Sequence, residues 1–285
     1  MQRSLAVLCF AIAGMALGLG WYSQALKPLQ LSAQSPGQSA GVVPPSPPSV
    51  SPSPSPQSDR TLQFLKQRAR SITVKVLAGQ SWGSGILVQR QQREYVVLTN
   101  HHVLQAGEGY QIQTPDGKIY PAVPYPVEPF QPNDLALLKF QSPKQYAIAS
   151  WGQSLNLRVG SMVFAAGFPF QTEPQQDRDG FQFTRGQVSL IMDKAFEGGY
   201  QVGYSNRVVK GMSGGPVLNS QGMLVAVNGM HAYPLWGDPY VFVDGSHPPS
   251  QLKGLLIRSS WAIPVETVLK LAPRSLQLAS SDRKY

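Results

Sequence analysis

From Ile72 to Asn228 the chain is cut into short runs rich in Val, Ile and Leu, separated by turn signals, and this limits it to folds built from many short strands. The runs are Ile72–Leu77, Gly85–Gln89, Tyr95–Thr99, Gln111–Thr114, Lys118–Tyr120, Leu135–Phe140, Ser161–Ala166, Gln187–Ile191, Tyr200–Tyr204, Pro216–Leu218 and Leu224–Asn228. Pro115-Asp116-Gly117 and Asn219-Ser220-Gln221-Gly222 are turn sequences of the kind that close hairpins. The pattern predicts an all-β sandwich or pair of barrels. Helices are expected only at the two ends. Asp59 is placed to cap Thr61–Arg70, with Leu62, Leu65 and Ala69 on one side, and Val265–Leu271 follows Pro264.

Ahead of this region lie two segments of different character. Leu5–Trp21 is a 17-residue run without a charge, preceded by Arg3 and followed by Ser23-Gln24-Ala25. Residues 1–25 therefore read as an export signal or an N-terminal membrane anchor, and both readings stay open. Residues 26–58 read as a disordered linker: Ser35 to Ser58 holds eight prolines and eight serines and no charge, too little apolar surface to offset the entropy of ordering. As a Pro-rich tether it spans on the order of 90 Å. The single cysteine, Cys9, lies inside the apolar run, which excludes an internal disulfide and a Cys-rich zinc site. The formal charge of +9 suggests an acidic partner or surface without identifying one. Residues 273–285 are expected to be a flexible tail.

Three segments carry chemistry: Leu98-Thr99-Asn100-His101-His102-Val103, Asn133-Asp134-Leu135-Ala136-Leu137-Leu138 and Gly211-Met212-Ser213-Gly214-Gly215-Pro216. Singly, each has a bland explanation as a strand end or a turn. Together they present His, Asp and Ser in that order, 32 and then 79 residues apart. That is the chain order of one of the known arrangements of a catalytic triad.

At these residues the sequence resembles the trypsin-like, chymotrypsin-fold serine peptidases, and among them the exported bacterial and HtrA-type members without disulfides. The resemblance covers roughly residues 71–265. Thr99-Asn100-His101-His102-Val103 matches the family's Thr-x-x-His-Val, which makes His102 rather than His101 the base. Asp134 matches the Asp of Asp-Leu-Ala-Leu, and Ser213 the nucleophile of Gly-x-Ser-Gly-Gly-Pro. Gly83-Ser84-Gly85 and Phe183–Ser189 also look like family strands. The resemblance implies two six-stranded Greek-key β-barrels with the catalytic cleft between them, divided near Ser142–Leu157, and a domain spanning 59–272.

The implied chemistry is peptide hydrolysis through an acyl-enzyme. A serine hydroxyl is a poor nucleophile until a base takes its proton. His102 is suited to that near neutral pH, and Asp134 would fix the ring's tautomer. The backbone N–H groups of Gly211 and Ser213 are the candidate oxyanion donors. Asn228 and Gly229 fall where the family lays the substrate as an added strand. By motif register Val208 and Val209 wall the primary pocket, with Met230 opposite, which suggests small or medium apolar side chains before the cut bond. Gly198 through Met212 contains no Asp or Glu, so a preference for Lys or Arg is not expected. Arg207 is the competing signal: facing inward it would favour an acidic side chain, and facing solvent it would leave the apolar reading standing. Two departures from the family stand out. Met212 occupies the position where digestive members carry an Asp that pairs with a new N-terminus, and no C-terminal peptide-binding domain is expected after the barrels.

Asp177-Arg178-Asp179-Gly180 reads as a polar turn rather than a calcium loop, and His231 and His247 as surface residues. Neither a metal nor a cofactor is implied. Polypeptide substrates are expected, nucleic acid is not, and the oligomeric state is not set by the sequence. The alternatives to an exported endopeptidase are a catalytically silent peptide-binding module on the same scaffold, or a tethered structural protein of the envelope.

Overall fold

The computed structural model describes residues 56–126, 130–170, 177, 179–234 and 237–273. The signal or anchor at 1–25, Cys9, the linker as far as residue 55, Arg178 and the tail from 274 lie outside the described residues. Among the described residues no helix is long and apolar enough to cross a membrane.

Twelve strands close into two barrels of six. The first contains β1 (Thr73–Ala78), β2 (Ser81–Gln91), β3 (Glu94–Thr99), β4 (Tyr110–Gln113), β5 (Ile119–Pro124) and β6 (Ala136–Gln141), in the order β1-β2-β3-β6-β5-β4. The second contains β7 (Met162–Gly167), β8 (Gln182–Ile191), β9 (Val202–Tyr204), β10 (Pro216–Leu218), β11 (Leu224–Met230) and β12 (Ser260–Pro264), in the order β10-β11-β12-β9-β8-β7. Both repeat one plan. Three strands form a meander and the fourth returns beside the first, which is a Greek key. All ladders are antiparallel.

Alternation along a strand sends successive side chains to opposite faces. Here both faces of several strands are buried, which explains their near-continuous apolar runs. In β3, Tyr95 and Val97 fill the first barrel, while Val96 and Leu98 face a large core shared between the barrels. In β7, Val163 and Ala165 fill the second barrel, while Phe164 and Ala166 face the shared core. That division places the barrels side by side and leaves the loops at their junction to form a cleft.

The N-terminal helix α1 runs Pro56–Ile72, longer than expected at both ends. Asp59 lies in its first turn rather than at a cap, and the linker stops short of residue 58. Its buried residues are Leu65, Ala69 and Ile72, spaced i, i+4, i+7 against the shared core, whereas Leu62 is exposed. A short helix, α2 (His101–Leu104), follows β3, and α4 (Val265–Leu271) closes the described chain. A helix α3 (Lys253–Arg258) and strand β12 were not expected from sequence. They are organised by Trp261, fully buried on β12 with Phe196, 5.0 Å away between ring centroids, and Tyr240, 6.1 Å away.

Candidate active site

His102 lies on α2, immediately after β3, and Asp134 just before β6. Strands β3 and β6 pair directly, Thr99 opposite Ala136, so the two side chains start close together. The carboxylate of Asp134 grips His102 twice. Its Oδ1 accepts the His102 backbone N–H at 2.9 Å, and its Oδ2 takes the ring Nδ1–H at 2.6 Å. A carboxylate can only accept, so this bond fixes the proton on Nδ1 and leaves Nε2 as the basic nitrogen.

Asp134 is held from both barrels. Asn100 Nδ2 donates to its carbonyl at 2.7 Å, and its N–H donates to the Gly198 carbonyl at 2.8 Å. The hydroxyl of Tyr200, just before β9, donates to Oδ2. Burial alone would raise the carboxyl's pKa. The bonds and charge of His102, with the Tyr200 hydroxyl, outweigh it and hold the pKa below the usual carboxylate value. Burial, reinforced by the Asp134 charge, pushes the Tyr200 phenol well above its ordinary value, so it remains a donor. Tyr200 reaches this position because residue 229 is glycine: a Cβ there would lie 2.3 Å from the ring's Cε1. Sequence reading missed Tyr200. Its partner is 66 residues away and no motif marks it.

Ser213 sits in the turn between β9 and β10, half-buried. Its Oγ donates to the Gly229 carbonyl at 3.0 Å, and no hydrogen bond joins it to the His102 ring. The first barrel grips this turn through Ser84. The Ser84 N–H donates to the Ser213 carbonyl at 2.8 Å, and Ser84 Oγ to the Gly211 carbonyl at 2.8 Å. Gly211 has φ +98°, a left-handed conformation, and a Cβ there would lie 2.5 Å from the Phe168 carbonyl oxygen. The Lys210 carbonyl accepts the Phe170 N–H at 2.9 Å. Since C=O and N–H point oppositely across a trans peptide, this bond turns the Gly211 N–H the other way. Among the described residues neither the Gly211 nor the Ser213 N–H has an acceptor.

Met212 is fully buried in the second barrel's core. Its carbonyl accepts Asn228 Nδ2 at 2.8 Å, and Tyr204 donates its hydroxyl to Asn228 Oδ1. Asn228 also uses its backbone: its N–H bonds the Gly215 carbonyl at 2.9 Å and its carbonyl accepts Gly214 N–H at 2.8 Å. This corrects the expectation that Asn228 lines the substrate cleft. It is fully buried and supports the Ser213 turn from beneath, because its amide satisfies the turn's carbonyl.

Beside this turn opens a cleft of about 810 Å³, lined by residues 205–210, by 231–233 after β11, by Phe170 and by Arg258. Val208 and Val209 are among its lining residues, and so is Arg207, which is exposed. Met230 packs against the shared core instead, and His231, half-buried, takes the place expected of it. Asp177 and Asp179 form ion pairs with α1, Asp177 with Lys66 at 2.6 Å and with Arg70 at 2.8 Å, Asp179 with Arg70.

Residues 83–227 match a family model described as a trypsin-like peptidase domain. The chain belongs to that family. It is 29% identical, over 69% of its own length and 38% of the relative's, to the "Probable periplasmic serine endoprotease DegP-like" of Brucella suis. It is 31% identical, over 51% of its length and 30% of the relative's, to the "Periplasmic pH-dependent serine endoprotease DegQ" of Escherichia coli. The chain thus spans well under half the length of these relatives. A solved structure titled "Crystal structure of Deg5" shares the fold, with a TM-score of 0.54 at 22% identity, covering 75% of this chain and 93% of that one.

Proposed function

We propose that this trypsin-like domain is a serine endopeptidase working through His102, Asp134 and Ser213. The observation that carries the reading is the double hold of Asp134 on His102, which leaves Nε2 free as a base, with Gly214 of the Ser213 turn packed against Thr99 and Asn100 just before that histidine. In the resting geometry Ser213 Oγ rests on the Gly229 carbonyl. Rotation about χ1 swings it toward Nε2, a tightening expected when substrate enters. Oγ then attacks the scissile carbonyl as Nε2 takes its proton, and the Gly211 and Ser213 N–H groups receive the oxyanion. His102 returns the proton to the leaving amine, and water repeats the sequence to release the acid.

Met212 gives this turn an anchor of a different kind from an Asp paired with a cut N-terminus. A buried thioether and the Asn228 amide hold it, so no activating cleavage is required. Export is part of the same reading. The uncharged run Leu5–Trp21 suits a signal or an anchor, and the relatives quoted above are described as periplasmic. Polypeptides are the substrates.

A fluorophosphonate probe tests the reading directly. Ser213 is expected to be labelled, and labelling to vanish in Ser213→Ala. A well-folded protein that never reacts would make the domain a peptide-binding module instead. Tyr200→Phe is expected to lower kcat by about ten- to a hundredfold, the scale of one hydrogen bond to a charged group. Losing that donor leaves the Asp134 charge less neutralised beside His102, which favours the protonated ring and should move the acid limb of the kcat–pH profile upward. An unchanged profile would show that Tyr200 merely fills space.

A further inference from the structure

Resting on the peptidase reading, we propose that the cleft beside Ser213 takes an acidic side chain, so that the bond cut follows Glu or Asp. The cleft is assembled from the stretch leading into the nucleophile turn, the stretch leaving β11 and the last residue of α3. These place Arg207, Lys210, Arg258 and His231 around one opening, and no Asp or Glu among the described residues lines it. Among the described residues no carboxylate lies within ion-pair distance of Lys210 or Arg258. The Lys210 ammonium sits 5.3 Å from the centre of the Phe170 ring, at the cleft's margin.

The apolar alternative loses much of its expected wall. Val208 is buried in the core of the second barrel, and Met230 packs against the shared core, leaving Val209 as the partly exposed valine. Phe170, Val209, Ala232 and Tyr233 still give the cleft an apolar side, which can pack on the stem of Glu as well as on Val or Leu, so its cations decide between them. A carboxylate gains in addition charge-assisted bonds from the Lys210 ammonium and the Arg258 guanidinium. A cleft lined by one sign of charge also concentrates ligands of the other sign. Substrate Lys or Arg would meet like charges with no partner, the costly case.

The test compares peptides differing only at the residue before the cut bond: Glu, its neutral isostere Gln, Val and Lys. With the full chain at low salt, kcat/KM for Glu is expected to exceed that for Gln by at least about tenfold, and the ratio to fall as salt screens the charges. Lys210→Ala and Arg258→Ala, both exposed positions, are each expected to cut the ratio several-fold. Gln or Val cleaved as fast as Glu, or Lys preferred, would overturn the inference. Fluorophosphonate labelling separates the two readings. If Ser213 labels and Glu shows no advantage, the acidic preference falls and the peptidase stands. If Ser213 never labels, the peptidase falls and the cleft is tested by binding alone. Ser213→Ala should then hold a peptide ending in Glu about tenfold tighter than one ending in Gln, and equal affinities would end the proposal.

Discussion

Ser213→Ala and His102→Ala are each expected to lower peptide hydrolysis about 10⁴- to 10⁶-fold, the scale on which a triad loses its function as a unit. Neither should unfold the protein. The Ser213 hydroxyl makes one hydrogen bond among the described residues, to the Gly229 carbonyl, so its loss costs about 1 kcal/mol. The turn itself is held by backbone and by Ser84, Asn228 and Met212, all untouched. The His102 side chain is 44% exposed, and without its ring Asp134 keeps the residue 102 N–H and the Tyr200 hydroxyl. His101→Ala is the control. Its side chain has no bond to Asp134, and an effect within a few-fold is expected. Paired measurements of kcat/KM and of unfolding midpoint check this, and an essential His101 beside a dispensable His102 would place the base one residue earlier.

The contrast between these residues and their supports shows what the sequence can carry. Ser213, His102 and Asp134 stand in local strings whose neighbours are also constrained: Gly211 by a left-handed turn, and Val103 by burial behind the histidine. The barrels are legible for a similar reason, since strands buried on both faces leave unbroken apolar runs such as Tyr95-Val96-Val97-Leu98. What holds the proposed triad is not local. Tyr200 acts on Asp134 from the other barrel, Ser84 reaches Gly211 across 127 positions, and Asn228 turns inward because the Met212 carbonyl needs a donor. Nothing near Asn228 in the chain distinguishes an inward amide from one lining a cleft. Strand β12 escaped because its five residues follow a long stretch rich in Pro and Gly, and they become a strand only by pairing with β9 and β11.

Asp134→Asn is expected to lower kcat about 10⁴-fold at neutral pH with little change in overall fold. Three donors converge on this carboxylate: the His102 N–H at Oδ1, and the His102 Nδ1–H and Tyr200 hydroxyl at Oδ2. An amide has one acceptor oxygen where the carboxylate has two. The His102 N–H cannot rotate away, so the Asn oxygen must face it, and the NH₂ group then points at the ring. The ring answers by presenting a bare Nδ1, which moves its proton to Nε2. A protonated Nε2 cannot accept from Ser213, so the base is lost while the geometry survives. Stability carries a second signature. The Asp134 pKa is depressed in the fold, so its contribution is complete above the ordinary carboxylate value of about 3.9 and disappears as pH falls through the lower folded value. The stability gap between the native protein and Asp134→Asn should therefore be widest near neutrality and close in strong acid. A loss of kcat below about tenfold would remove Asp134 from the triad, and a stability gap that grew on acidification would mean that its pKa is raised by burial rather than lowered by its three donors.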